Sequence, residues 1–300
     1  MILVGVDGGG TTTEAIAYDT ETKKMTSAES GPGNFHNVGV GEAVANVMTA
    51  IRRATGGKIP DLVYVGLAGM DSRYDYEVMK VELKDAGKKT VIDHDGFVAL
   101  YGETKGKPGI IVISGTGSVI VGYDGKSKLR YGGLGWLLSD EGSAYQIGRD
   151  LLRTIVKMMD GRLPKTSILE KALQFMGAKD VDDLVKWSYH EGHRVKEIAS
   201  LARVVHESAK EGDETANAIL KRNAEELAMS SSQMSKRLGV STVYLKGGMF
   251  DSCIYFNFFR SYLENCNVRS VKSRVNAAFG ALLLAAREAY ITLDIEEVND

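Results

Sequence analysis

The chain has little cysteine, little net charge and no long apolar run, and each shortage removes a class of function. Its two cysteines, Cys253 and Cys266, stand far apart with no CxxC or nearby CxxH arrangement. Neither a disulfide framework nor a structural zinc site is therefore expected, and both read as buried free thiols. The five histidines form no ligand set either, since His190 and His193, with Glu191 between them, lack the HExxH spacing of zincins. Lys and Arg number 37 against 39 Asp and Glu, a net charge of −2, which leaves no basic footprint for nucleic acid or an anionic membrane. No apolar stretch approaches membrane-spanning length, and the chain opens directly on Met1-Ile2-Leu3-Val4-Gly5-Val6-Asp7 without a basic leader; a cytoplasmic protein is expected. The partners left are small molecules and other protein chains, with a homodimer as the expected assembly.

What is present is glycine at chosen places. In Val6-Asp7-Gly8-Gly9-Gly10-Thr11-Thr12-Thr13 a glycine and threonine turn joins two apolar runs, 2–6 and 15–18, and the pattern predicts a β-hairpin. Backbone N–H groups without a Cβ in front of them can approach an anion, so the turn reads as a phosphate cradle or, alternatively, as a tight hairpin only. Asp7 faces that cradle. A carboxylate beside a phosphate needs a cation between them, which points to a metal nucleotide.

At 300 residues the chain exceeds one ordinary domain, and two lobes are expected. Strands at 61–67 and 90–93 alternate with helices at 41–54, 75–85 and 97–104, an α/β order. After Lys105-Gly106-Lys107-Pro108-Gly109 a second strand, glycine turn and strand begins, with Ser114-Gly115-Thr116-Gly117-Ser118 as its turn; both hairpins close on Tyr-Asp, Tyr18-Asp19 and Tyr123-Asp124. A second echo pairs Val63-Tyr64-Val65-Gly66-Leu67-Ala68-Gly69 with Val243-Tyr244-Leu245-Lys246-Gly247-Gly248. Duplicated lobes are one reading; chance likeness between short strands is the other. Helices are expected near 143–159, 166–176, 181–189, 195–210, 213–237 and 275–290, and the tail 294–300 reads as an acidic, frayed end.

With these segments in view, the chain resembles the sugar kinase, Hsp70 and actin superfold, and within it the BadF/BadG/BcrA/BcrD ATPase family, in the branch of N-acetylglucosamine kinases and archaeal sugar kinases. The most distinctive stretch is Gly132-Gly133-Leu134-Gly135-Trp136-Leu137-Leu138-Ser139-Asp140-Glu141-Gly142-Ser143-Ala144-Tyr145. The resemblance implies two ribonuclease-H-like, actin-like ATPase lobes with an ATP cleft between them: 1–107, with the helix 275–290 packing back on it, and 108–274. It implies that Gly9, Gly10, Thr11 and Thr12 form a first phosphate loop, that Asp7 holds Mg²⁺, that Gly115, Thr116 and Gly117 form a second loop, and that Gly247 and Gly248 receive adenosine. Opposed backbone donors and a divalent ion suit the charge developed in phosphoryl transfer.

Asp95, in Val91-Ile92-Asp93-His94-Asp95-Gly96, matches the family's catalytic aspartate and would accept the proton of a sugar hydroxyl. The plainer reading is a helix N-cap. Asp93 is an alternative base. Sugar recognition is implied for Asn34, Asp95, Thr116, Gly117, Gly133, Asp140 and Ala144, since sugar hydroxyls both donate and accept; the plain alternatives are a turn residue for Asn34 and an N-cap for Asp140. Trp136 reads as packing. Two departures from the N-acetylglucosamine kinase pattern, Ala68 for a serine and Leu134 for a tryptophan, weaken strict N-acetylhexosamine specificity. Hexoses, N-acetylhexosamines and the sugar acid 2-keto-3-deoxygluconate stay open as acceptors. A rival within the family is the activator ATPase that drives electrons into a 2-hydroxyacyl-CoA dehydratase through a shared iron–sulfur cluster; it needs cysteines in a pattern that Cys253 and Cys266 do not match. A sugar-sensing regulator is disfavoured, since no helix-turn-helix or basic extension precedes the first strand.

Overall fold

The computed structural model describes residues 1–190 and 195–293. The readings of Glu191, His193 and the tail 294–300 lie outside the described residues. The chain forms two compact units, the first comprising Met1–Gly109, Gly122–Lys128 and the stretch from Ser273 onward, the second Ile110–Val121 and Leu129–Lys272.

In the first unit the hairpin forms as β1 (Ile2–Gly8) and β2 (Thr13–Asp19), antiparallel, with Asp7 opposite Glu14. A third strand, β3 (Lys24–Ser30), follows on the outer side of β2. After α1 (Phe35–Val38) and α2 (Val40–Ala54), β4 (Leu62–Leu67) adds parallel to β1 on its other side; α3 (Arg73–Glu82) then leads into β5 (Lys89–His94), parallel to β4. The sheet order is β3-β2-β1-β4-β5. Every residue of β4 is buried, as a parallel strand covered on both faces must be. One face meets α2 through Ala43, Val47, Ala50 and Ile51; the other meets α4 (Asp95–Thr104) and α12 (Ala277–Glu288) through Val98, Ala278, Ala281 and Leu282. The alanines of α12 let it approach closely, and Gly5 completes the fit: a Cβ there would stand 2.1 Å from the Leu282 nitrogen and 2.3 Å from the Ala278 carbonyl.

The second unit repeats the plan. Strands β6 (Gly109–Ser114), β7 (Ser118–Tyr123), β8 (Lys128–Gly132), β9 (Thr242–Lys246) and β10 (Arg269–Lys272) lie in the order β10-β9-β6-β7-β8. Numbered within each unit, the two orders are the same, so the echo of the two glycine hairpins extends to the whole sheet. Between β8 and β9 stand α5 (Ala144–Met159), α6 (Ser167–Met176), α7 (Val181–Val185), a π-helical turn at Lys186–His190, α8 (Val195–Ser200), α9 (Ala202–Lys210) and α10 (Glu214–Leu238). The helix expected over 195–210 is interrupted at Leu201, which is fully buried and anchors the break in the core. α10 shows why the sequence starts and stops where it does: Asp213 caps it by accepting from Ala216 N–H, and Gly239, at φ +65°, ends it. After β9 the aromatic stretch forms α11 (Cys253–Asn265), with Phe250, Tyr255 and Phe259 at edge-to-face centroid distances of 5.9 and 5.1 Å in the core. The cysteines stand at opposite ends of α11, about 20 Å apart at 1.5 Å per residue. Contrary to expectation Cys253 is exposed and Cys266 half-buried, because both ends of the helix lie at the surface.

Candidate functional site

In the first unit the glycine turn is closed by Gly9 N–H donating to the Thr12 carbonyl at 2.9 Å. It is tied to two other turns. The Gly9 carbonyl accepts from Gly33 N–H (2.9 Å) and Asn34 N–H (3.1 Å), and the Gly8 carbonyl accepts from Ala68 N–H (2.9 Å). Asp7, Asn34 and the turn after β4 are thereby collected where β1 and β4 end, the edge at which open α/β sheets bind ligands. The glycines there divide by purpose. A Cβ on Gly33 would meet the Gly8 Cα at 2.6 Å, and one on Gly69, at φ +85°, would meet Asn34 Oδ1 at 2.8 Å; these two are needed for packing. Gly10 has negative φ and nothing closer to a Cβ than Asn37 Nδ2 at 3.5 Å, so the fold does not demand a glycine there. It is exposed together with Thr11 and Thr12. Asn34 is half-buried and caps α1, its Oδ1 accepting from His36 N–H at 3.0 Å.

The two acidic candidates at the end of β5 separate clearly. Asp93 is buried, and its Oδ2 accepts from the Tyr64 hydroxyl at 2.9 Å and from the Lys128 ammonium, while Oδ1 accepts from His94 N–H at 2.9 Å. Burial, then the Asp93 carboxylate, push the Tyr64 hydroxyl upward, so it stays a donor. With both oxygens occupied inside the protein, Asp93 is a structural anchor. Asp95 is the first residue of α4 and is half-buried; its Oδ1 accepts from Gly96 N–H at 2.6 Å. The N-cap position itself belongs to His94, whose Nδ1 accepts from Gly96 N–H at 3.0 Å.

In the second unit the turn between β6 and β7 is closed by Gly115 N–H donating to the Gly117 carbonyl at 2.9 Å. The start of α5 docks on it: Ala144 N–H reaches the Gly115 carbonyl (2.8 Å) and Tyr145 N–H the Thr116 carbonyl (3.2 Å). Asp140 is brought to the same place, since a Cβ on Gly117 would meet its Oδ2 at 2.7 Å. Asp140 does not cap α5. Ser143 does, accepting from Gln146 N–H, while Asp140 is buried with φ +70°, a left-handed conformation that aspartate tolerates better than most non-glycine residues. Gly133, at φ +66° and with Val119 Cγ2 2.6 Å from a would-be Cβ, is needed for the turn. Gly247 is likewise obligatory, at φ +104° and 2.3 Å from the Ser114 carbonyl, whereas Gly115 and Gly248 have open space and ordinary φ. Trp136 packs at a tilt against Tyr145, ring centroids 5.5 Å apart, yet remains 44% exposed, and Leu134, Leu137 and Leu138 beside it are exposed as well. Trp136 is therefore only partly the packing residue expected.

Each unit thus offers a turn with backbone donors and at least one glycine that the fold does not require. Among the described residues no cluster of three or more His, Cys, Asp or Glu could hold a metal by itself, and no helix is long and apolar enough to cross a membrane. A metal carried by a phosphate group fits the donor set differently: Asp7 stands at the strand end that leads into the glycine turn, and charge balance beside a bound anion calls for a cation there.

Duplicated sheets of this order, each with a glycine turn after its first strand, define the actin-like ATPase fold shared with sugar kinases. A solved protein of Chromobacterium violaceum, a candidate N-acetylglucosamine kinase, superposes with a TM-score of 0.81 at 24% identity over 95% of this chain and 98% of its own. The profile of the BadF/BadG/BcrA/BcrD ATPase family matches residues 4–285, and the chain belongs to that family. It is 32% identical to the N-acetylmuramic acid/N-acetylglucosamine kinase of Clostridium acetobutylicum over 95% of this chain and 98% of that protein. It is 31% identical to the N-acetyl-D-glucosamine kinase of Dictyostelium discoideum over 95% and 97%.

Proposed function

We propose that this protein is an ATP-dependent sugar kinase that transfers the γ-phosphate to a hydroxyl of an N-acetylhexosamine, with hexoses and the sugar acid 2-keto-3-deoxygluconate as alternative acceptors. The observation that carries the reading is the set of glycines the fold does not need. At the turns that follow strands, Gly10, Gly115 and Gly248 have neither a tight neighbour nor a positive φ, and a turn glycine without a packing or dihedral reason suits a backbone that a ligand approaches closely. The choice of an amino sugar rests on the relatives above, which are kinases for N-acetylglucosamine and N-acetylmuramic acid.

In this reading Gly9, Gly10, Thr11 and Thr12 form one loop of phosphate donors, and Gly115, Thr116 and Gly117 form another. Gly247 and Gly248 take adenosine. Asp7 would hold Mg²⁺ directly or through water, and the ion supplies neutralisation of charge on the transferring group. Asp95 acts as general base, worth roughly 10²–10⁴ in rate. Asn34, whose Oδ1 is committed to α1, has its Nδ2 amide to donate to a sugar oxygen, while Asp140 accepts from hydroxyls beside Thr116, Gly117, Gly133 and Ala144. A homodimer is the proposed assembly. The test is ADP release with N-acetylglucosamine, glucosamine, glucose, mannose and 2-keto-3-deoxygluconate, the phosphate position of any product being read by NMR. Release with N-acetylglucosamine above the others is expected; no release with any of them overturns the kinase reading.

A further inference from the structure

We infer that Trp136 is a specificity-determining residue whose indole is the platform for the C–H face of a pyranose acceptor, beside the Asp140 carboxylate at the end of the same loop. The inference deepens the kinase reading and rests on it for the nature of the acceptor. The loop from Leu134 to Ser139 is closed on itself: Leu134 N–H donates to Ser139 Oγ at 2.8 Å, and the Gly135 carbonyl accepts from Leu138 N–H (3.2 Å) and Ser139 N–H (2.9 Å). Gly133 and Asp140, just outside its two ends, are thereby drawn together, with Trp136 near the tip. The indole is turned back toward the glycine turn after β6. It packs on Tyr145 with planes 54° apart, and Tyr145 is itself buried and docked on that turn, its N–H donating to the Thr116 carbonyl at 3.2 Å. Asp140 reaches the same turn, its Oδ2 lying 2.7 Å from a would-be Cβ on Gly117. A buried carboxylate and an open indole are thus held at one glycine turn within a single unit.

Tyr145 covers part of the indole and the rest meets solvent. Leu137 and Leu138, each 74% exposed, extend the apolar surface, and patches of this kind mark ligand grooves or protein contacts. The neighbouring acid decides between the two. A sugar needs both kinds of group: its hydroxyls donate to a carboxylate, and its C–H groups, weakly positive, lie well on the negative face of an aromatic ring. In glucose and N-acetylglucosamine the substituents on C2 to C5 are all equatorial, so each ring face is lined by C–H. The acceptor class so defined is a gluco-configured pyranose, gripped by its ring and not only by its hydroxyls.

The test compares Trp136→Ala and Trp136→Phe with the parent by KM and kcat for N-acetylglucosamine and glucose with Mg-ATP, by melting temperature, by gel filtration, and by tryptophan fluorescence on titration with N-acetylglucosamine alone. The other tryptophan, Trp187, is buried in the core of the second unit, so a sugar-dependent change reports on Trp136. The parent should show that change and Trp136→Phe should not. Trp136→Ala should raise the KM of both sugars about tenfold, the order of one aromatic contact, with kcat and the KM for ATP within about twofold. Trp136→Phe, which keeps a ring, should recover most of the affinity; a merely structural role would instead lower melting temperature and kcat together. Parental KM in Trp136→Ala, a fluorescence change that persists in Trp136→Phe, or a loss confined to N-acetylglucosamine, which would place the contact on the acetyl group, would each overturn the inference. So would an altered elution volume with KM unmoved, since the patch would then be a contact between protein chains. Failure at the two levels is distinguishable: if the parent releases no ADP with either sugar yet shows the fluorescence change, the kinase reading fails and the stacking stands, and if Trp136→Ala phosphorylates both sugars as the parent does, only the stacking fails.

Discussion

The two units share one sheet order and differ in what is attached to it. In the first, the sheet is sandwiched by α2 and α3 on one face and α4 and α12 on the other. In the second, six helices among the described residues, α5 to α10, are inserted between β8 and β9 and build the largest core. The difference extends to chemistry. The first unit places Asp7 on β1, leading into its glycine turn, and Asp95 at the start of α4, while in the second Asp140 is a buried acid brought against Gly117. In the proposed reading the duplicated scaffold divides into a unit that would do acid–base work and a unit that would contribute binding surface and bulk.

The largest expected effect breaks that division at its centre. Asp95→Asn should reduce turnover by roughly 10²–10⁴, the ordinary worth of a general base, while ATP affinity measured by calorimetry stays within about twofold. A variant with comparable turnover would move the catalytic role out of the first unit.

Next come the glycines, where the contrast is between stability and affinity. Gly5→Ala drives a Cβ into the α12 backbone and Gly247→Ala into that of Ser114; each should cost about 3 kcal/mol or more, the upper end of overpacking, read from denaturant unfolding. Gly115→Ala and Gly248→Ala meet nothing within 4 Å and should leave stability within about 0.5 kcal/mol while raising the KM for ATP. Equal stability losses in both pairs would remove the distinction on which the nucleotide assignment rests. Smaller again is Asp140→Asn, which keeps a residue tolerant of positive φ. It should raise the sugar KM several-fold with the melting temperature unchanged.

The sequence showed the core of each unit and hid its rim. β1, β4 and β6 are apolar because both faces are covered, β9 buries Val243 and Leu245 on one face, and the turns after all four carry glycine. The missed strands, β3, β8 and β10, all lie at sheet edges and are short or polar: Lys24–Ser30 mixes exposed and half-buried positions without one apolar face, and Arg269–Lys272 has four residues. Such strands are set by pairing with a neighbour, which no local pattern records. α11 was missed because its aromatic residues are weak helix formers held by tertiary packing. At the site, glycine and aspartate motifs pointed to Asp7, Asp95, Gly115 and Gly247. The positive φ of Asp140 is a product of chain geometry that no local motif records.

The smallest effect concerns the inserted helices and acid stability. Asp213 is buried and joins two of them: Oδ1 accepts from Ala216 N–H at 2.9 Å, capping α10, while Oδ2 accepts from Ile168 N–H and the Ser167 hydroxyl, both at 3.0 Å, at the start of α6. Burial raises its proton affinity, but these donors outweigh burial and hold the carboxyl below its ordinary value. The folded pKa is therefore depressed, so the stabilisation is present in full above the unfolded value and is lost as pH falls through the folded one. Asp213→Asn keeps an acceptor for the cap but removes the charge; it should cost about 1 kcal/mol at neutral pH, and the gap between variant and parent should close on acidification. Unfolding curves for the two proteins that stay parallel down to low pH would show that the inserted helices, unlike the site of the first unit, draw nothing from a buried charge.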